Sequence, residues 1–219
     1  MNIQKLNAND FIYSITVYSH EFEDILSQLI ACYCLMKSDN CVIQNNENLI
    51  RDTLVNNYLM NNDVRKQIGI SGYLFYRELP TTDNTGRVDI HIVPPKAFQD
   101  TDAYYIIECK RLDGGKELNR EYIGNGIARF TNEKKYPFYE NIAGMIGFVI
   151  KKIDIHQNTY CNINELLQNT FTKINTERAL TKKEISPNFE YSYYSSHKID
   201  GDSKIIYHLM FDFSDNISS

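Results

Sequence analysis

Positive charge is scarce in this chain: 23 Lys and Arg stand against 28 Asp and Glu, a formal net charge of -5. A protein that coats nucleic acid indiscriminately draws its affinity from neutralising phosphates, so this balance argues against that class. It leaves room for an enzyme acting on nucleic acid, because metal-binding carboxylates add to the deficit and a local basic rim can still steer a strand. The first residues, Met1-Asn2-Ile3-Gln4-Lys5-Leu6-Asn7, lack the charged start, apolar centre and small-residue cleavage site of a signal peptide. No apolar run approaches the roughly 20 residues of a membrane span. A cytoplasmic protein without a membrane partner is the expectation. The five cysteines, Cys32, Cys34, Cys41, Cys109 and Cys161, are odd in number and lack paired metal-ligand spacing, so reduced thiols are the simplest reading. Internal repeats, low-complexity stretches and a separate helix-turn-helix are also missing, so nothing in the chain advertises base-sequence reading.

What is present is globular. At 219 residues the chain can bury one core with elaborations, and 42% hydrophobic with 23% charged residues is close to the globular average. From Tyr18 to Met36, apolar residues at 22, 25, 26, 29, 30 and 33 have helical spacing. That stripe is expected to pack on the core or on a twin subunit. Glu47 to Leu59 repeats the pattern, with apolar residues at 50, 54 and 58. Gly72 to Leu79 reads as a strand, and Pro80 to Gly86 as a turn. Asn162 to Ile174 reads as a helix, and Phe189 to Ser195 with Lys204 to Phe213 as a hairpin joined through Asp200-Gly201-Asp202. That hairpin could extend the sheet, cap a cleft or make a dimer contact, and the residues do not choose among these.

The chemistry concentrates between those elements. Gly86 to Val93 alternates polar and apolar and carries Asp89; Ala103 to Lys110 is a second strand-like run that ends Glu108-Cys109-Lys110. Successive strand side chains point to opposite faces, so Glu108 and Lys110 share a face, and Asp89 joins them in the right register. Two carboxylates on adjacent strands meet the needs of magnesium, a hard ion that takes oxygen ligands and keeps several waters. Such an ion can activate water and offset charge on a phosphoryl group, and a strand-held ammonium can orient that water. Glu133-Lys134-Lys135 repeats the Glu-x-Lys spelling without an apolar run before it and reads as a solvated turn.

Asp89 with Glu108-Cys109-Lys110 resembles the PD-(D/E)XK nuclease superfamily, the restriction-endonuclease-like fold, and in particular its uncharacterised bacterial members. Arg87-Val88-Asp89 departs from the literal Pro-Asp, in the most often replaced letter of the pattern. The resemblance covers about residues 40 to 152 and implies an α/β core of helix, three strands, helix and strand. Residues 1–39 would then be a helical extension and 153–219 a helix plus hairpin, all in one domain. It implies a Mg²⁺-dependent endonuclease, with Mn²⁺ able to substitute. Asp89, Glu108 and the backbone carbonyl of Cys109 would hold the metal, Lys110 would be the catalytic cation, and Glu47 an outer acid. Glu47 is also readable as a first-turn acid complementing a helix dipole. DNA is the favoured substrate and RNA an open one; defence against foreign DNA or a mobile element is the associated role. A homodimer or a targeting partner protein is compatible with it. A non-catalytic nucleic-acid-binding or assembly subunit of the same fold is the competing reading.

Further residues follow from the same comparison. Tyr122, Asn125 or Gly126, and Arg129 fall on one stripe of a helix, so Arg129 would hold the phosphate in a bidentate fork with Tyr122 beside it. Arg87 and Arg111 join that substrate-binding set, within a rim that also includes Lys110, Lys116 and Arg120. His91, two residues after Asp89, is expected to be a hydrogen-bonded sheet histidine before a metal-shell group. Tyr104, Tyr105, Tyr193 and Tyr194 could stack on bases, although strand packing explains most tyrosines here.

Overall fold

The structure is a computed structural model that describes residues 8–80 and 87–218. Its axis is a strand whose sequence, Ile-Ala-Gly-Met-Ile-Gly-Phe-Val, is buried at every position, β4 (Ile142–Val149). Such a run needs cover on both faces, the usual condition of a central parallel strand. β4 pairs in parallel with β3 (Tyr105–Leu112) on one side and with β7 (Asp202–Asp212) on the other. Outward from β3 lie β2 (Arg87–Val93) and β1 (Leu74–Pro80); outward from β7 lie β6 (Ser192–Ile199) and β5 (Thr176–Lys182). These outer pairings are antiparallel, so the result is one open, mixed, seven-stranded sheet, ordered β1-β2-β3-β4-β7-β6-β5.

Helices cover both faces and make it an α/β fold. α1 (Ala8–Ser38) starts before the expected Tyr18, and its residues Phe22, Ile25, Leu26, Leu29, Ile30 and Tyr33 are all buried against the chain's own sheet. A Cβ at Gly144 of β4 would lie 2.8 Å from Ile107 and 3.0 Å from the Phe22 ring, so glycine lets α1 sit this close. α2 (Glu47–Asp52) continues as a π-helical stretch, Thr53–Leu59, and is followed by α3 (Asn62–Ile68) on the same side. The opposite face receives α4 (Lys116–Tyr122), a π-helical stretch Ile123–Ile127, and α5 (Ala128–Phe130). Tyr122, Ile123 and Ile127 pack there with Met145 and Met210. α6 (Ile155–Gln157) runs through a further π-helical stretch, Asn158–Ile163, into α7 (Asn164–Asn169).

Three points are settled or altered in detail. Of the roles left open for the C-terminal hairpin, it extends the sheet: β7 enters beside β4, where its apolar run finds cover on both faces. β5 has no counterpart in the sequence reading, because Thr-Glu-Arg-Ala-Leu-Thr-Lys buries only Leu180, as suits an edge strand. The helix expected over 162–174 begins earlier and ends at Asn169. The readings of residues 1–7 and of the turn 81–86 lie outside the described residues. Among those described, no helix is long and apolar enough to cross a membrane, and all five cysteines are free thiols.

Candidate active site

The site is a fork between two strands. β2 and β3 pair only where Ile90, His91 and Ile92 face Ile107, Ile106 and Tyr105. Beyond Ile107, β3 runs on to Leu112 beside β4, while β2 runs back to Arg87 beside β1. Backbone donors in such a gap need other acceptors. The Cys109 N–H donates to Asp89 Oδ2 at 2.8 Å, and the Arg111 N–H donates to Glu47 Oε2 at 3.0 Å. Two carboxylates therefore stand in for a missing neighbour strand, one from β2 and one from the first turn of α2. Glu47 is held there by a capped helix start, in which Asn46 accepts from the N–H groups of Asn48 and Leu49.

Lys110 occupies the middle of the fork. Its ammonium donates to Cys109 O at 2.7 Å, Glu108 Oε1 at 2.8 Å and Glu47 Oε1 at 3.0 Å. Burial works to lower its pKa, but Glu108, Glu47 and Asp89 outweigh that and hold the ammonium above its ordinary range. Glu108 is fully buried, meets Arg129 Nη1 at 2.9 Å as well, and keeps Oε2 without a hydrogen-bond partner among the described residues. Burial, and then the Asp89 charge, push its carboxyl up to about 8 against the pull of Lys110 and Arg129. Gly126 allows the helix to lie on this stem: a Cβ there would be 2.5 Å from Met145 Cε and 3.4 Å from Lys110 Cγ.

Arg51 is the residue that sequence reasoning missed. It is 2% exposed, and its guanidinium donates to Asp89 Oδ1 at 2.7 Å, Asp52 Oδ1 at 2.8 Å and Glu78 Oε1 at 2.8 Å. Both oxygens of Asp89 are thus engaged, by Arg51 and by the Cys109 N–H. A signal existed: Arg51 follows Glu47 by four residues, the helical interval that puts an acid and a base on one face. Glu78, with a positive φ of 53°, completes the acidic set from β1.

The other expected residues divide. Arg129 reaches the fork, 2.9 Å from Glu108, and also donates to the Tyr136 hydroxyl, which donates in turn to Arg87 O at 2.6 Å. Arg87 is 70% exposed at the rim, 3.6 Å from Glu78. Arg111 turns to the other face, where it donates to Asn45. Tyr122 needs correction as a substrate contact: it is wholly buried, and its hydroxyl bonds His208 Nδ1 at 2.8 Å. The stripe with Arg129 assumed an α-helical period, and the wider π-helical turn between them rotates the two apart. Lys116 and Arg120 line a separate polar groove of about 340 Å³ with Asn119, Asn162 and Glu165. His91 stacks on Tyr104, and burial lowers its pKa. Tyr105 and Tyr193 are core residues, and Tyr194 receives a hydrogen bond from Arg178. Glu133 and Lys135 form the exposed pair expected of a turn.

The fork's donor chemistry suits a hard cation. Glu108 Oε2, the second lone pairs of Asp89 and the Cys109 carbonyl are all oxygens, and the Lys110 ammonium already shows that three oxygens converge on one positive centre. Among the described residues no group of three or more His, Cys, Asp or Glu side chains is arranged around a common metal position. A bound ion would therefore rely on two carboxylates, a carbonyl, water and phosphate, which is sufficient for magnesium. Comparison of the chain with protein-family models, with curated proteins and with solved structures finds no match. The family resemblance therefore rests on this chain's own sequence, on Asp89 and Glu108-Cys109-Lys110 with the helices and strands around them.

Proposed function

We propose that the chain is a metal-dependent endonuclease of the PD-(D/E)XK kind, hydrolysing phosphodiester bonds in DNA. The observation that carries this is the convergence of Asp89, Glu108, Lys110 and Glu47 in the β2–β3 fork, with Glu108 Oε2 left open. Asp89, Glu108 and the Cys109 carbonyl would hold Mg²⁺, for which Mn²⁺ could substitute. The bound ion would supply a nucleophilic water near neutral pH and offset charge on the phosphoryl group.

The remaining work falls to the chain's own groups. Lys110, charged at any physiological pH, orients the water or neutralises an equatorial oxygen. Glu47 holds that ammonium and, through the Arg111 N–H, the splayed end of β3. Arg129, 31% exposed, can turn one edge of its guanidinium to a phosphate while Tyr136 and Glu108 fix the other. Arg87 at the rim attracts the strand.

The opposing reading is a binding subunit without catalysis, and the engagement of Asp89 favours it: each oxygen already accepts one hydrogen bond. Cleavage of supercoiled plasmid by purified protein in Mg²⁺, Mn²⁺ and EDTA, beside Lys110→Ala, separates the two. Metal-dependent nicking or linearisation lost in the variant is the expected result. Cleavage of RNA alone would move the substrate and keep the site. DNA affinity equal with and without divalent ions, and no cleavage of either polymer, would leave the binding subunit.

A further inference from the structure

His91 lies two residues beyond Asp89 on β2, and it does not stand alone. It faces Tyr76 on β1 across the antiparallel ladder and stacks on Tyr104, the residue leading into β3, with centroids 4.6 Å apart and planes 26° apart. Tyr76 is 6.5 Å from His91 and tilted. Facing residues of an antiparallel pair share a face, so three rings form one row across β1, β2 and the approach to β3. Tyr76 is 37% exposed, and His91 and Tyr104 are half-buried. Past Tyr104 an open groove of about 460 Å³, lined by Asp102, Tyr104, Pro137, Phe138 and Tyr139, carries the aromatic surface onward.

The order of chemistry along β2 is the telling part. Arg87, Asp89 and His91 follow at two-residue steps: an exposed cation, a fork carboxylate, a stacked ring. Each step spans roughly 7 Å of strand, comparable with one nucleotide of an unstacked chain. In a duplex the base faces are covered by their neighbours, so ring stacking is closed to a protein, and non-specific binding there draws on phosphate. A chain with a net charge of -5 is poorly supplied for that. Unpaired bases, by contrast, stack on aromatic rings whatever their identity.

We propose that Tyr76, His91 and Tyr104 form a base-stacking platform, so that the strand delivered to the fork is single-stranded or locally unpaired. What the fork does with that strand rests on the nuclease reading; the platform itself is tested by binding. Full-length protein in EDTA is titrated into fluorescent oligo-dT, oligo-U, a dA–dT duplex and an abasic oligomer of equal length. Oligo-dT or oligo-U is expected to bind at least about tenfold tighter than the duplex or the abasic oligomer, and the better of the two identifies the preferred polymer. Tyr76→Ala is expected to weaken the stacked complex about 5- to 150-fold, the range for one base–ring contact, without changing abasic binding; Tyr76→Phe is expected to restore it. Equal affinity for duplex and single strand, or equal loss on the abasic oligomer, overturns the platform. Plasmid cleavage without any single-strand preference refutes the platform and leaves the nuclease. A Tyr76-dependent single-strand preference without cleavage of any substrate refutes the nuclease and leaves the platform.

Discussion

Arg51 Nη1 lies 2.7 Å from Asp89 Oδ1, and this buried contact ties the first turns of α2 to the strand carboxylate expected to do the chemistry. The same guanidinium bridges Asp52 and Glu78, so one cation serves three acids. Arg77 relieves Asp52 and Arg87 partly relieves Glu78, but among the described residues Asp89 has no second cation within ion-pair distance.

Removing that cation should cost both stability and cleavage. Arg51→Met is expected to lower unfolding free energy by about 3–5 kcal/mol, the usual penalty for leaving buried charges uncompensated, read from urea midpoints. Arg51→Lys keeps the charge without the planar fork and should recover part of that stability. If Asp89 needs the fork for its orientation, Arg51→Lys will lower kcat with little change in KM. Wild-type kcat in a stably folded Arg51→Lys would show that Asp89 needs charge alone.

Divalent ions should stabilise the folded chain. An ion bound only to the native state adds about 1.4 kcal/mol at ten times its Kd, which for a chain of this size corresponds to a Tm rise of about 3–6 °C. The rise should appear with Mg²⁺ or Mn²⁺, vanish with EDTA and be absent in Glu108→Gln. It should also grow with pH. Glu108 retains its proton up to about 8, above the ordinary value of 4.5, so ion binding must displace that proton until the pH reaches this range. A shift that is the same at pH 6 and pH 8 would remove Glu108 from the ligand set.

Acid should unfold the chain through a buried histidine wire. The Tyr122 hydroxyl bonds His208 Nδ1, and Ser195 Oγ lies 2.8 Å from both His208 Nε2 and His197 Nε2. Burial lowers His197 from 6.5 to about 4, and burial with the neighbouring His197 lowers His208 well below its ordinary value. Both rings are neutral when folded, so their contribution is intact above pH 6.5. It is lost as pH falls below 6.5, because the unfolded chain takes up protons first. For His197 the loss at pH 5 is about 2 kcal/mol. His197→Gln should therefore lose about that much less between pH 7.5 and pH 5 than the wild type in urea unfolding. Equal losses would place the acid limit elsewhere.

Much of the candidate site is local and legible in the sequence. Alternation along 86–93 and 103–110 decides which way Asp89, Glu108 and Lys110 point, and the helical repeat after Glu47 places an acid at a helix start. The apolar stripe from Phe22 to Tyr33 was legible for the same reason. Tyr122 was misplaced because a π-helical turn leaves no mark in a pattern read at 3.6 residues per turn.

The sequence by itself determined the types of the elements that carry the site, their strand faces and the identity of the acids and the ammonium, since each depends on spacings of two to four residues. Only the tertiary structure decided that β2 parts from β3 after a three-residue ladder, that β7 lies beside β4, and that Arg51 meets Asp89 across 38 positions of chain. Those outcomes follow from burial, which acts between surfaces distant in sequence: a run apolar on both faces must find two neighbours, and a buried carboxylate must find a donor. No local period encodes which ones.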